Sequence, residues 1–264
     1  MKRVPLLSVV LALVAPIAVA QERIDCAGQY GGHLQGVVTD SADGNPTAIF
    51  WSFTVALVKT DLKGQLIKAI DVPTHHGDLA CHEGKVYVAV NLKLFNEEPG
   101  KADSWIYVYD ANDLTLLTKH AVPEVVHGAG GVEFHNGHFF VVGGLPVGYT
   151  ENYVYEYDAD FKFVKRHVVA SGYTDKGIQT VSFFNGAWWF GCYGKPEELL
   201  KADENFGSLA KYQEDWALGI APFTKGTCIR GVHKRDENKK LWTGAVLVES
   251  NCTPLMPAQA APEK

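Results

Sequence analysis

Between Gly32 and Ser250, apolar and polar positions alternate over short runs that are repeatedly broken by turn residues. This period of two predicts strands, and no sustained helical period competes with it. The segments "LACHEGKVYVAV" (79–90), "VEFHNGHFFVV" (132–142) and "VSFFNGAWWFGC" (181–192) share one form. Each is a strand, a Glu-Gly or Asn-Gly turn, and a second strand rich in valine and aromatic residues. Asn-Gly suits a type I′ hairpin, whose two central residues need positive φ. The turn glycines Gly84, Gly137 and Gly186 are spaced by 53 and 49 residues. A second hairpin accompanies each first one, in "ALVKTDLKGQLIK" (56–68), "IYVYDANDLTLLTK" (106–119) and "YVYEYDADFKFVK" (153–165). Its turn centres on Asp61, Asp110 or Asp158, and an aspartate there accepts hydrogen bonds from its own backbone. That role accounts for all three without a bound calcium ion.

Two hairpins per unit make a four-stranded sheet, and a repeat near fifty residues is the length of a propeller blade. The expected fold is all-β: a five-bladed β-propeller of four-stranded antiparallel blades. Its copies start near His33, His75, Gly128, Gly177 and Cys228. The fifth copy, "CIRGVHKRDENKKLWTGAVLVES" (228–250), runs out before four strands are complete. The segment "QERIDCAGQY" (21–30) can supply what is missing, so the N-terminal segment closes the ring and removes an exposed sheet edge. A single domain over 21–252 follows.

Superposing the copies gives each residue a place. Val37, Leu79, Val132, Val181 and Val232 share a column that should pack between blades. Toward the start of the innermost strands, one column holds His33, His75, Gly128, Gly177 and Cys228. The next holds Gln35, Gly77, Gly130, Gln179 and Arg230. His76 and His127 lie beside this rim, and Asp78 lies just below. Polar groups converging on a funnel mouth are the default ligand site.

Composition narrows what such a funnel could hold. The first twenty residues, "MKRVPLLSVVLALVAPIAVA", have the charged start, apolar centre and Ala-x-Ala end of a secretory signal peptide. The expected location is therefore periplasmic or secreted. Removing Lys2 and Arg3 takes the formal net charge from −6 to −8, which argues against nucleic-acid binding. No later segment is long and apolar enough for a membrane span. The tail 253–264 is rich in Pro and Ala and is expected to be disordered. A monomer is expected. Five cysteines remain after cleavage; Cys26–Cys252 and Cys228–Cys252 are competing disulfide pairs that the sequence leaves open.

The first functional reading is a small polar, anionic ligand held in the funnel. His33, His75 and His76 are candidate acid–base groups for lyase- or hydrolase-like chemistry. Arg230 is a bidentate donor for a carboxylate or phosphate. Gln35, Asp78, His127 and Gln179 line the mouth in this reading, and Tyr193 and Trp51 wall it. A divalent metal would have to draw on His33, His75, His76, His127 and Cys228. The second reading is a non-catalytic scaffold that binds a protein or polysaccharide through loops. It rests on the insertions "NLKLFNEEPGKADS" (91–104) and "YGKPEELLKADENFG" (193–207), the second of which reads as helix-prone.

Five blades, a secretion signal and "HLQGVV" opening the first blade resemble the plant- and bacterial-type glutaminyl-peptide cyclotransferases, over roughly 33–192. The resemblance implies a small five-bladed propeller with its pocket at the funnel mouth. Gln179, in "GIQTVSFFNG", matches the family's fourth-blade amide, and Tyr193 falls near its tryptophan. The positions of the family's two glutamates fall near Trp51 and Gly77, so neither carboxylate is present. The resemblance therefore counts against glutaminyl cyclisation, which needs those groups to move protons.

Overall fold

The computed structural model describes residues 22–40, 45–224, 226–238, 240–250 and 252. The expected signal peptide (1–20) and the tail (253–264) lie outside the described residues. β1 (Arg23–Asp25) stands apart at the start. Blade one is β2 (Leu34–Thr39), β3 (Ile49–Phe53), β4 (Ala56–Thr60) and β5 (Leu66–Asp71). Blade two is β6 (His76–His82), β7 (Lys85–Asn91), β8 (Ser104–Asp110) and β9 (Leu116–Ala121). Blade three is β10 (Ala129–His135), β11 (His138–Gly143), β12 (Asn152–Tyr157) and β13 (Phe163–Val169). Blade four is β14 (Asp175–Phe184), β15 (Ala187–Tyr193), β16 (Glu198–Ala202) and β17 (Ala210–Tyr212). Then come β18 (Ile220–Pro222), β19 (Thr227–Asp236) and β20 (Leu241–Ser250). All pairings are antiparallel, and the chain forms a five-bladed propeller of four-stranded sheets. Among the described residues there is no helix, and none long and apolar enough to cross a membrane.

The fifth blade is ordered β18-β19-β20-β1, so the N-terminal strand supplies its outer edge. Arg23 to Asp25 pair with Leu247 to Ala245 and close the ring. The start of this blade departs from the expectation. Its innermost strand is β18, which packs against β2 and β14, and not the segment starting at Cys228. Cys228 and Arg230 sit on the second strand, where Cys228 pairs with Pro222 and Arg230 with Ile220. A three-residue strand carries too little alternation to announce itself, whereas β19 with β20 makes the long hairpin that mimics a blade's first pair.

The core is divided into five clusters, each lying between two neighbouring blades. Val37, Leu79, Val132 and Val181 occupy four of them, as their shared column predicts. Val232 lies on a second strand, outside that column, and is half-buried. Sheets packed face to face hide both faces of the middle strands, which explains the apolar runs there. The aspartate turns recur in four blades. Oδ1 of Asp61, Asp158 and Asp203 each accepts two backbone N–H groups at 2.8–2.9 Å, and that of Asp110 accepts one at 2.7 Å. The fourth of these turns lies within the helix-prone insertion, where "ELLKA" forms strand β16 instead. Its apolar Leu199 and Leu200 are both fully buried between sheets, so tertiary packing overrides local helix preference.

Cys228 and Cys252 share the core between blades four and five. Cys26 lies in the core between blades five and one. All five thiols are free, with no pair at bonding distance.

Candidate functional site

A cleft of about 470 Å³ opens where the innermost strands begin. His33 and Gln35 come from the start of blade one, Thr74 and His75 from the entry to β6, and Lys176 and Gln179 from β14. The innermost strands of blades one to four all shift register near one column, at Leu34/Gly36, His76/Leu79, Ala129/Gly131 and Ile178/Thr180. Such bulges leave a residue unpaired and re-aim its side chain, and they are frequent beside binding sites. Gln35 and Gln179 sit on two of these four bulges. The outer wall is the first part of the insertion after β7: Asn91, Leu92, Lys93, Phe95 and Asn96. Asn91 and Asn96 are fixed by the backbone. The Asn91 side chain donates to Lys93 O and accepts from Asp103 N–H, and Asn96 accepts from Leu145 N–H at 2.7 Å. Tyr193 closes the far side beneath the Lys176 ammonium, 5.6 Å from its ring centroid.

The two cleft histidines are linked. His33 Nδ1 lies 2.8 Å from the Leu34 carbonyl. The Gln35 side-chain nitrogen is 3.1 Å from His33 Nε2 and 2.9 Å from His75 Nε2. Burial lowers the pKa of both imidazoles. His75 falls to about 4, with the neighbouring His33 adding to the effect. Both are therefore neutral at physiological pH. His233, on β19, stands edge-on to His33 with ring centroids 5.4 Å apart and is also lowered by burial to about 4. Lys93 and Lys176 are the charged groups lining the cleft, and among the described residues no carboxylate lines it.

Several sequence candidates lie elsewhere. His76 is fully buried, bonded to Pro73 O and to Tyr109 Oη at 2.8 Å. His127 is buried with Nδ1 on Glu97 O and its ring edge-on to Tyr149. Trp51 is in the core, where Nε1 donates to Thr60 Oγ1. Arg230 pairs with Glu249 at 2.6 Å and donates to Asp215 O, outside the cleft lining. Of the histidine and cysteine candidates for a metal, His33 and His75 share the cleft, and His76, His127 and Cys228 lie elsewhere. Among the described residues no group of three or more His, Cys, Asp or Glu side chains is placed to hold an ion.

The sequence matches no protein-family model and no curated protein. Sequence reasoning brought together His33, His75, Gln35, Gln179 and Tyr193, and it missed Lys93, Lys176 and the two asparagines. Lys176 adjoins Gly177 of the aligned column, but an exposed lysine at the start of a strand carries no signal of its own. The insertion 91–104 stands out by its length and reads as a partner-binding loop, whereas five of its first six residues form a wall of the cleft.

Asp78 lies beneath the cleft, not in it. It is fully buried, with Oδ2 accepting the Val181 N–H at 3.0 Å and Oδ1 lacking any partner. Burial pushes its pKa well above the usual carboxylate range; the Val181 and Leu79 N–H groups oppose that and nearby Glu133 adds to it. Burial also holds Glu133 up, to about 7. The folded state thus keeps a proton on Asp78 that the unfolded chain releases above about pH 4. Stability contributed by the protonated acid is present below that pH and is lost as pH rises toward the folded-state value. Urea unfolding at pH 5 and pH 8 should show a smaller stability loss for Asp78→Asn than for the wild type. Parallel losses would refute the buried, protonated carboxyl.

Proposed function

We propose that this protein binds a small anionic ligand in the cleft at the funnel mouth. The observation that carries the proposal is the charge pattern: two lysines, two neutral imidazoles and no lining carboxylate among the described residues. Asn91, Asn96, Gln179 and Tyr193 add polar contacts, and Phe95 with Leu92 adds an apolar edge, as small-ligand sites require. Lysine ammonium groups are donors only, so they favour carboxylate or phosphate oxygens. His75 lines the same cleft and is neutral near pH 7, which supports carbonyl polarisation by its ring N–H should the ligand react. Glutaminyl cyclisation is not proposed, since the positions expected for its glutamates are held by Trp51 in the core and Gly77 at the centre of the ring. The test is an NMR titration with mono- and dicarboxylates and inorganic phosphate, alongside amines of matching size. Anions should shift resonances of His33, His75 and Lys176 while amines leave them unmoved; the reverse would discard the reading.

An oxidising compartment is part of the proposal, supported by the signal-like N-terminus. There Cys228 and Cys252 would form a disulfide, each sulfur losing one proton and one electron to a disulfide oxidant such as oxidised glutathione. Their shared core supports this pairing over Cys26–Cys252, and the Cys228 thiol is raised first by its hydrogen bond with Cys252 and then by burial. Non-reducing peptide mapping of the exported protein should link the peptides carrying 228 and 252. A 26–252 link would contradict it.

A further inference from the structure

The Gln35 amide nitrogen has three acceptors within reach, His75 Nε2 at 2.9 Å, His33 Nε2 at 3.1 Å and Thr54 Oγ1 at 3.1 Å, and its two N–H groups are shared among them. Those contacts fix where the protons lie. The Leu34 carbonyl can only accept, so His33 Nδ1, 2.8 Å away, carries the proton. In a neutral imidazole Nε2 then bears a lone pair, and the group facing it must be a donor. A glutamine carbonyl in that place would set lone pair against lone pair. The amide nitrogen therefore points at His33, and the orientation follows from the bonding partners. The same nitrogen faces His75. An amide nitrogen donates and cannot accept, so a proton on His75 Nε2 would have no acceptor across those 2.9 Å, and that ring nitrogen is an acceptor as well.

We infer that Gln35 locks His33 and His75 as neutral Nδ1–H tautomers, so that His75 offers an N–H donor to the cleft and the site selects a ligand oxygen that only accepts. The inference rests on the anion-binding reading and deepens it, since Gln35 and His75 become the residues that choose the ligand's chemistry. His75 Nδ1 has no partner among the described residues, and the side chain lines the cleft. With its proton already on Nδ1 and Nε2 held by the amide, His75 has no lone pair free for the ligand. It acts as a hydrogen-bond donor to an oxyanion and not as a general base. The imidazolium form would add a donor facing the amide, which fits the depressed pKa of His75. Lys93 and Lys176 complete a set of donors, so a carboxylate fits and its primary amide, which presents N–H groups, does not. Gln35 is a positioning residue: it acts on the ligand through His75.

The test uses the full chain labelled with 15N-histidine at pH 7. Long-range 1H–15N correlations, assigned with His33→Ala and His75→Ala, should show a protonated Nδ1 and an unprotonated Nε2 on both residues. A protonated Nε2 on His75 would overturn the inference. Gln35→Glu puts an acceptor where the amide donated, so His75 should gain a proton on Nε2 and titrate between pH 5 and 8. It should also bind succinate at least ten-fold more weakly while still unfolding in one cooperative transition, which shows that the variant is folded. Wild-type protein should bind succinate at least ten-fold better than succinamide; equal binding would overturn the selectivity. An Nδ1–H His75 with no succinate response supports the lock and sinks the anion reading. A succinate response with an Nε2–H His75 does the opposite.

Discussion

Gly36→Ala is expected to destabilise the protein by about 3 kcal/mol or more, since overpacking a core without room to relax reaches that range. A Cβ on Gly36 would stand 2.2 Å from Asp78 Oδ1, 2.6 Å from Asp78 Cα and 2.9 Å from Leu79 Cδ2. A flexible side chain could turn aside, but the α-carbon of Asp78 is backbone in the neighbouring blade. Relief would require β2 and β6 to move apart, and each also packs against other blades. Gly77 is equally confined, with a Cβ falling 2.3 Å from the Gly130 carbonyl oxygen. At this chain length the expected fall in Tm is roughly 6–12 °C. Thermal unfolding of the single variant measures it. Adding Asp78→Ala should recover only the part due to the side-chain carboxyl, because the clash with the backbone at position 78 remains. A change below about 0.5 kcal/mol, the range of surface substitutions, would mean the blades do not touch at the axis.

Replacing both Lys93 and Lys176 with methionine is expected to weaken anion binding about thirty-fold. Both are exposed, so each contributes about 1 kcal/mol, the upper range for ion pairs in contact with solvent. Two such losses give that factor if they add. The attraction is screened by salt, so the wild type should approach the double variant as ionic strength rises toward 1 M. Methionine keeps the aliphatic length, and neither lysine belongs to a core cluster, so the fold should be unaffected. Titration calorimetry at low and high salt separates the two effects. Equal affinities at low salt would place the anion elsewhere.

The sequence by itself determined the blade. Alternation of period two, the Asn-Gly turns at Gly137 and Gly186 and the repeated turn aspartates are local properties, and local sterics and hydrogen bonding write them into consecutive residues. Ring closure was legible too, because a blade short of strands must borrow one. His33, Gln35, His75 and Gln179 were found from their columns, since equivalent positions in stacked repeats meet at the axis. What only the tertiary structure decided lies where the repeat breaks. β18 is three residues long, and its place at the axis moves Arg230 and Cys228 outward by one strand. A register shift of one residue inverts which side of a strand faces the core, so bulges at four inner strands decided whether a polar residue enters the cleft. They leave Gln35 facing the imidazoles while His76 is buried against Tyr109. Lys93 and Lys176 belong to different blades, more than eighty residues apart, and only ring closure sets them around one cleft. The tautomer of His75 was hidden for the same reason: it is set by a hydrogen bond from another blade, and no spacing along the chain encodes that.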